Sequence, residues 1–158
     1  MGLDAHVRCN CIRERCAQAH PFPDRLTFDE TGEPVLLGNP STADWVVHDR
    51  WCEKACEHAG ILISERLGNI SFVAHLREFV RALQGEPGPR FPILLGEVIF
   101  NGVHSGDWIS SEKASELLKE VDLGLQSSDI LSANERDFFL QMKRLCEASI
   151  ATSNPITF

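Results

Sequence analysis

The chain has 158 residues and a net charge of −8, with 43% hydrophobic and 24% charged residues. This length and composition predict one globular domain, spanning residues 1–158, that can bury its own core. The acidic charge and the lack of a basic stripe disfavour nucleic-acid binding, and no apolar run is long enough to span a membrane.

The N-terminal residues and the cysteine content bear on the cellular compartment. The first residues include an acid at Asp4 and no apolar run, which is not the pattern of a secretory signal peptide. Six cysteines are few for a disulfide scaffold of this length. We therefore expect a cytoplasmic protein whose thiols stay free or bind a metal.

The first part of the chain predicts short strands. Residues 3–12 alternate between apolar and polar side chains, as a half-buried strand does, with Cys9 and Cys11 on the apolar face. Residues 26–28 and 35–37 flank a turn sequence and predict a hairpin.

A helix is predicted to follow the hairpin. Residues 43–57 have helical spacing of apolar side chains, and Ser41 or Thr42 is a suitable N-cap. Gly60 is typical of the position just after a helix C-terminus. Residues 61–67 fit either a short strand or a helical turn.

A second helix is indicated by a regular apolar stripe that begins near Asn69 or Ser71 and ends before Gly85. Residues 91–100 are almost continuously apolar, and we predict a buried strand there.

Two further helices are predicted in the last third, over residues 111–123 with Ser110 as N-cap and over residues 134–151. Together these elements predict an α+β fold. In it, a small antiparallel sheet is formed by the N-terminal strand, the hairpin and residues 91–100. About four helices pack on one face of the sheet and at its ends.

Two pairs of metal-ligand side chains are the most specific pattern in the sequence. Cys9 and Cys11 would point to the same side of a strand, so both can reach one metal. Cys56 and His58 cannot do so within a regular helix, because residues i and i+2 point apart. The pairing therefore requires the helix to end near Cys56, which Gly60 favours.

The order Cys-x-Cys followed by Cys-x-His resembles the SWIM-type zinc motif. Cys9, Cys11, Cys56 and His58 match its four ligand positions one by one. The resemblance implies a zinc ion, and SWIM modules are implicated in protein or nucleic-acid contacts. Four protein ligands would make such a zinc structural.

Other interpretations of the cysteines stay open. A rival ligand set is formed by His48, Cys52 and Cys56 at intervals of four residues on one helix, completed by Cys16 or His20. The cysteines also fit ordinary buried thiols, which are common in protein cores.

A redox pair is a further possibility for the cysteines. Cys9 with Cys11, or Cys52 with Cys56, would then make the protein a thiol redox sensor, which requires the two thiols to lie within disulfide distance.

One loop carries residue types used in catalysis. His104, Ser105 and Asp107 lie between the strand predicted at residues 91–100 and the next helix. They would support a small hydrolase, with or without a metal. The competing interpretation is a polar turn in which Asp107 binds backbone amides ahead of the helix.

Asp49, Glu53 and Glu57 form an acidic line on the first predicted helix, and Trp51 lies off its apolar face. An exposed tryptophan beside acids is typical of a surface that binds a basic protein. As a type, a small acidic chain without a catalytic motif resembles bacterial immunity proteins that neutralise toxins. The sequence thus favours a non-catalytic binding protein, with the hydrolase as the alternative.

Overall fold

The structure is a computed structural model that describes residues 2–84, 90–102, 106–127 and 129–158. The chain forms two compact units: Met1–Val7 together with Ile63–Phe158, called here the first unit, and Arg8–Leu62, the second unit. The expectation of a single domain over residues 1–158 stays a prediction, and each unit is described by itself.

The described residues form six strands and four α-helices. The strands are β1 (Gly2–Arg8), β2 (Leu26–Phe28), β3 (Pro34–Leu36), β4 (Ile61–Asn69), β5 (Trp108–Ile109) and β6 (Ile156–Thr157). The helices are α1 (Thr42–Cys52), α2 (Ile70–Leu83), α3 (Ser111–Gln126) and α4 (Ala133–Thr152).

A small antiparallel sheet has the strand order β4-β1-β6-β5. The C-terminal strand β6 pairs antiparallel with both neighbours, so Thr157 lies opposite His6 on β1 and opposite Trp108 on β5. Strand β1 alternates as its sequence predicts, because Leu3, Ala5 and Val7 are buried. The α+β fold class is therefore confirmed.

The main hydrophobic core is built by the first unit. Helix α2 contributes a stripe of Val73, Leu76 and Val80, all fully buried. Helices α3 and α4 pack closely, and a Cβ atom at Gly124 of α3 would overlap the ring of Phe139 on α4. Glycine is therefore required where these two helices approach.

The predicted strand at residues 91–100 is wrong. The segment contains a π-helical turn, Leu94–Val98, and the backbone amides of Ile93 and Leu94 donate to the Glu120 carboxylate at 3.0 and 2.8 Å. A short apolar run is compatible with either a buried strand or a buried helix. Glu120, distant in sequence, satisfies amides that a strand would have paired in a sheet.

The second unit contains a hairpin and one α-helix. Strands β2 and β3 pair antiparallel with Leu26 opposite Leu36, which confirms the predicted hairpin, although it forms a separate two-stranded sheet. Helix α1 begins with a capping box, in which Ser41 and Asp44 each accept a hydrogen bond from the other's backbone amide. It ends at Cys52, several residues before the predicted end.

The other helix predictions agree with the structure to within a few residues. Asn69, Ser110 and Ser132 cap α2, α3 and α4 by accepting a hydrogen bond from a backbone amide in the first turn. Within the described ranges, no helix has both the length and the apolar character needed to cross a membrane.

Candidate metal centre

Four side chains of the second unit converge on one point. The ligand atoms of Cys9, Cys11, Cys56 and His58 all lie within 4.8 Å of one another. The Sγ atoms of Cys9 and Cys56 are 3.7 Å apart, and Cys11 Sγ is 3.3 Å from His58 Nδ1. In the part of the chain that the structure describes, this is the one such cluster of histidine, cysteine or acidic side chains.

The spacing of these ligand atoms fits a tetrahedral zinc ion. Zinc binds sulfur at about 2.3 Å and nitrogen at about 2.0–2.1 Å, so tetrahedral ligands lie about 3.8 Å apart for two sulfurs and about 3.5 Å for sulfur and nitrogen. The two measured pairs, at 3.7 and 3.3 Å, lie close to these values. Three thiols and an imidazole are also soft ligands of the kind that favour zinc over magnesium or calcium.

The first ligand pair lies in a turn that follows β1. The strand ends at Arg8, so the expectation that Cys9 and Cys11 lie on a strand is wrong. The carbonyl oxygen of Cys11 accepts hydrogen bonds from the backbone amides of Cys16 and Ala17 at 2.9 and 3.0 Å. The folded-back turn, not strand alternation, brings the two thiols together.

The second ligand pair lies in the connection between α1 and β4. Because α1 ends at Cys52, the chain is free to turn at Cys56 and His58. The turn uses two left-handed residues, Ala59 at φ 47° and Gly60 at φ 83°. Cys56 and His58 could not both reach one metal from within a regular helix. The early end of α1 removes that obstacle.

A backbone hydrogen bond joins the two ligand pairs directly, since the amide of Cys9 donates to the carbonyl oxygen of Gly60 at 3.1 Å. Further backbone amides point at the sulfurs: Cys11 donates to the Cys9 thiol, and both His58 and Gly60 donate to the Cys56 thiol. Such outer hydrogen bonds fix the orientation of metal ligands.

The three thiols differ in how readily they ionise. Burial raises the pKa of Cys9, and burial together with the hydrogen bonds to Cys9 and Cys56 raises the pKa of Cys11 to about 12. Burial also opposes ionisation of Cys56, but hydrogen bonds from the amides of Gly60 and His58 and from the Cys9 and Cys11 side chains together outweigh it and lower the pKa of that thiol. Close thiolates repel one another, and a bound divalent cation would offset that repulsion.

The rival ligand set is not brought together. His48 is buried, and its ring nitrogens lie 3.0 Å from His20 Nε2 and 3.0 Å from the carbonyl oxygen of Pro34. Cys52 Sγ lies 3.5 Å from His48, whereas the exposed Cys16 donates to the carbonyl oxygen of Cys11.

The remaining residue of the rival set, Cys56, belongs to the cluster with Cys9, Cys11 and His58. All six cysteines, including the pairs considered for a redox sensor, are free thiols in the structure.

The acidic residues predicted to bind a partner and the tryptophan predicted beside them differ in solvent exposure. Asp49, Glu53 and Glu57 are exposed, as expected. The expectation that Trp51 is exposed is wrong, because its side chain is only 8% exposed and its indole N–H donates to the carbonyl oxygen of Gln18 at 3.2 Å. The exposed tryptophan of α1 is Trp45, at 38%.

A histidine–tryptophan cluster was not anticipated from the sequence. The ring of His20 packs edge-on against Trp51, with ring centroids 4.4 Å apart, and contacts His48 at 5.2 Å. The only local signal was the three-residue spacing of His48 and Trp51 on one helix. Their partner His20 comes from an irregular segment that has no periodic pattern.

The predicted catalytic loop is described only in part, since His104 and Ser105 lie outside the described residues. Asp107 lines a cavity of about 310 Å³ in the first unit, together with Glu97, Trp108 and Phe158. The carboxylate of Glu97 is paired with Lys113 at 2.9 Å. The hydrolase therefore stays an untested prediction.

Comparison of the chain with family models, with curated proteins and with solved structures gave no match. The four-ligand cluster is thus supported by geometry, and membership of the SWIM type stays a prediction.

Proposed function

We propose that Cys9, Cys11, Cys56 and His58 bind one structural zinc ion and that the chain is a non-catalytic protein-binding protein. The observation that carries this proposal is the convergence of three thiols and one imidazole within 4.8 Å. A complete set of four protein ligands leaves no position for water or substrate, which is the mark of a structural site.

The composition of the second unit supports a structural role for the metal. Its buried hydrophobic side chains are Leu36, Trp51 and Ala55, and the main core cluster consists of first-unit residues. A unit with so small a core needs a further cross-link, such as a metal, to fold stably. The two ligand pairs are 47 residues apart and lie near the two ends of the unit, so a zinc ion there would close it.

The exposed face of α1 supports protein binding. Trp45, Asp49 and Glu53 follow one another at four-residue intervals, so they share one side of the helix, and all three are exposed. Val46, beside Trp45, is 43% exposed. An exposed aromatic residue can anchor an interface, and neighbouring carboxylates would attract a basic partner.

A toxin-neutralising protein is a narrower form of the same proposal, in which the basic partner is the active site of a toxic enzyme. We further infer a reducing compartment such as the cytoplasm, which fits the six free thiols.

Metal analysis of the chain purified without chelator tests the zinc proposal. We expect one zinc ion per chain in the wild type and its loss in both Cys9→Ser and Cys56→Ser. The matched control is Cys16→Ser, which removes an exposed thiol outside the cluster and should retain the zinc. A wild-type chain without zinc, or equal zinc in all four proteins, would contradict the proposal.

The protein-binding proposal is tested by affinity purification with variants of exposed residues, one that removes Trp45 and others that reverse an acidic charge. We expect basic partners that are lost with Trp45→Ala and with Asp49→Lys. The control Asp24→Lys reverses an exposed acid outside α1 and should keep them. Partners that survive both α1 variants would show that another surface binds them.

A further inference from the structure

A cavity in the second unit has the form of a small-molecule site. It measures about 420 Å³, within the usual size range of ligand pockets. Nine residues line it: Ile12, Arg15, Ala17, Gln18, Ala19, His20, Pro23, Leu26 and Trp51. None of the four proposed zinc ligands is among them, so the cavity is separate from the metal centre.

Two buried aromatic side chains, His20 and Trp51, line the cavity, and the polar atoms of both rings are already engaged. Trp51 has its indole N–H bound to the carbonyl oxygen of Gln18, and His20 has both ring nitrogens engaged, by the Phe22 amide at 2.9 Å and by His48. Leu26 and Ile12 add aliphatic surface. A ligand group that contacts these side chains must therefore be apolar, and an aromatic ring packs well against other aromatic rings.

The wall of the cavity is held in place by the backbone. The amide of Gln18 donates to the carbonyl oxygen of Ala55 at 2.7 Å, while the carbonyl of Gln18 accepts from Trp51. The amide of Ala17 donates to the carbonyl oxygen of Cys11. These hydrogen bonds fix the backbone of residues 17 and 18. This wall of the cavity is therefore in place before a ligand binds.

One cation at the rim defines the polar end of the ligand. Arg15 is exposed, and no carboxylate pairs with its side chain among the residues that the structure describes. Arg15 is also held at φ 60°, a left-handed conformation that disfavours every residue with a Cβ atom. Glycine would relieve that strain, and backbone strain of this kind is concentrated at ligand-binding positions.

We propose that this cavity binds a small carboxylate whose other end is an aromatic ring. The ring packs against Trp51 and His20, and the carboxylate pairs with the guanidinium of Arg15, which is shaped to bind carboxylates through two hydrogen bonds. None of the proposed zinc ligands lines the cavity, so the ligand would not contact the metal.

The test is an NMR titration of the full isotope-labelled chain with naphthoate and with its neutral match, naphthamide. We expect saturable shifts at the Trp51 indole N–H and at the amides of residues 17 and 18, with naphthoate bound about tenfold more tightly than naphthamide, as one charge-assisted contact implies. Arg15→Gln should remove this preference and leave the affinity for naphthamide unchanged, whereas Arg15→Lys should keep part of it.

The control variant is Arg50→Gln, which removes an exposed arginine of α1 that does not line the cavity and should leave both affinities unchanged. Absence of saturable shifts at Trp51, equal binding of the two compounds by the wild type, or a preference that persists in Arg15→Gln would overturn the proposal. The wild-type comparison decides the matter even if a variant folds poorly.

Discussion

At the scale of single residues, the candidate metal centre depends on backbone conformations that most residues avoid. Gly60 has φ 83°, and a Cβ atom added there would meet nothing within 4 Å, so the restriction on this position is conformational and not steric. Its amide donates to Cys56 Sγ, and its carbonyl accepts from the amide of Cys9. The residue therefore serves both ligand pairs.

We predict that Gly60→Ala destabilises the protein by about 1–2 kcal/mol, the cost of a left-handed conformation in a residue with a Cβ atom, and weakens zinc binding. Urea unfolding and competition with a zinc chelator would measure the two effects. Gly96→Ala is the matched control, because a Cβ atom there also meets nothing within 4 Å and the backbone is not left-handed. Equal effects of the two substitutions would contradict the prediction.

The paired histidines of the second unit have protonation states that follow from their neighbours. A backbone amide can only donate, so Phe22 requires His20 Nδ1 to accept, and the proton of His20 must lie on Nε2. That proton is donated to His48 Nδ1, and His48 Nε2–H is donated to the carbonyl oxygen of Pro34. Both rings are therefore neutral, and a second proton on His20 would break the chain of hydrogen bonds.

We predict that the second unit loses stability on acidification through His20. Burial and the neighbouring His48 lower the pKa of His20 below its ordinary value. The unfolded chain then binds more protons than the folded one, so the stabilisation is complete above pH about 6.5 and is lost as the pH falls toward the folded pKa. Thermal melts across this range should show a shallower pH dependence in His20→Gln, and an identical dependence would refute the prediction.

The four residues of the candidate metal centre could be identified from the sequence because their pattern is local. Cys9 with Cys11 and Cys56 with His58 each lie two residues apart, and two such pairs make one set of zinc ligands. The cluster of His20, His48 and Trp51 could not be predicted, because His20 comes from an irregular segment whose position depends on hydrogen bonds to the distant residues His48 and Trp51. Trp51 was expected at the surface because its spacing places it off the apolar face of the helix. It is buried because it packs against the same irregular segment.

At the scale of elements, helices with strong local signals agree with prediction and the buried apolar segment does not. Asn69, Ser110 and Ser132 precede regular apolar stripes, and each cap and stripe can be read within a few residues. Residues 91–100 have no such signal, since nothing in the segment itself shows that Glu120 will accept its amides. The strands β5 and β6 are too short for a two-residue period to be visible.

The dependence of the π-helical turn on Glu120 gives an element-scale prediction. Glu120→Ala leaves the buried amides of Ile93 and Leu94 without an acceptor, and we expect a loss of about 2–4 kcal/mol in the free energy of unfolding. The control is Glu116→Ala, at an exposed position on the same helix, which should change stability little. Urea unfolding measures both, and a similar small effect of the two would show that Glu120 does not support the turn.

At the scale of the whole molecule, the two units are stabilised by different means. The first unit has an extensive core in which side chains such as Val73, Phe138 and Met142 are fully or almost fully buried. The second unit has few buried hydrophobic residues and carries the proposed zinc ligands near both of its ends. A metal that binds the folded unit and closes it contributes its binding free energy to folding.

We therefore predict that zinc removal loosens the second unit selectively. After chelation, hydrogen exchange should accelerate at the amides of Cys9 and Gln18, which are bonded to the carbonyl oxygens of Gly60 and Ala55. Amides within α3 and α4 should keep their protection, because the core that buries those helices contains no metal ligand.

Adding zinc back should restore slow exchange in the wild type and in Cys16→Ser but not in Cys56→Ser. Uniform acceleration in both units would mean that the metal holds the whole chain, and no acceleration would mean that the cluster contributes nothing to folding.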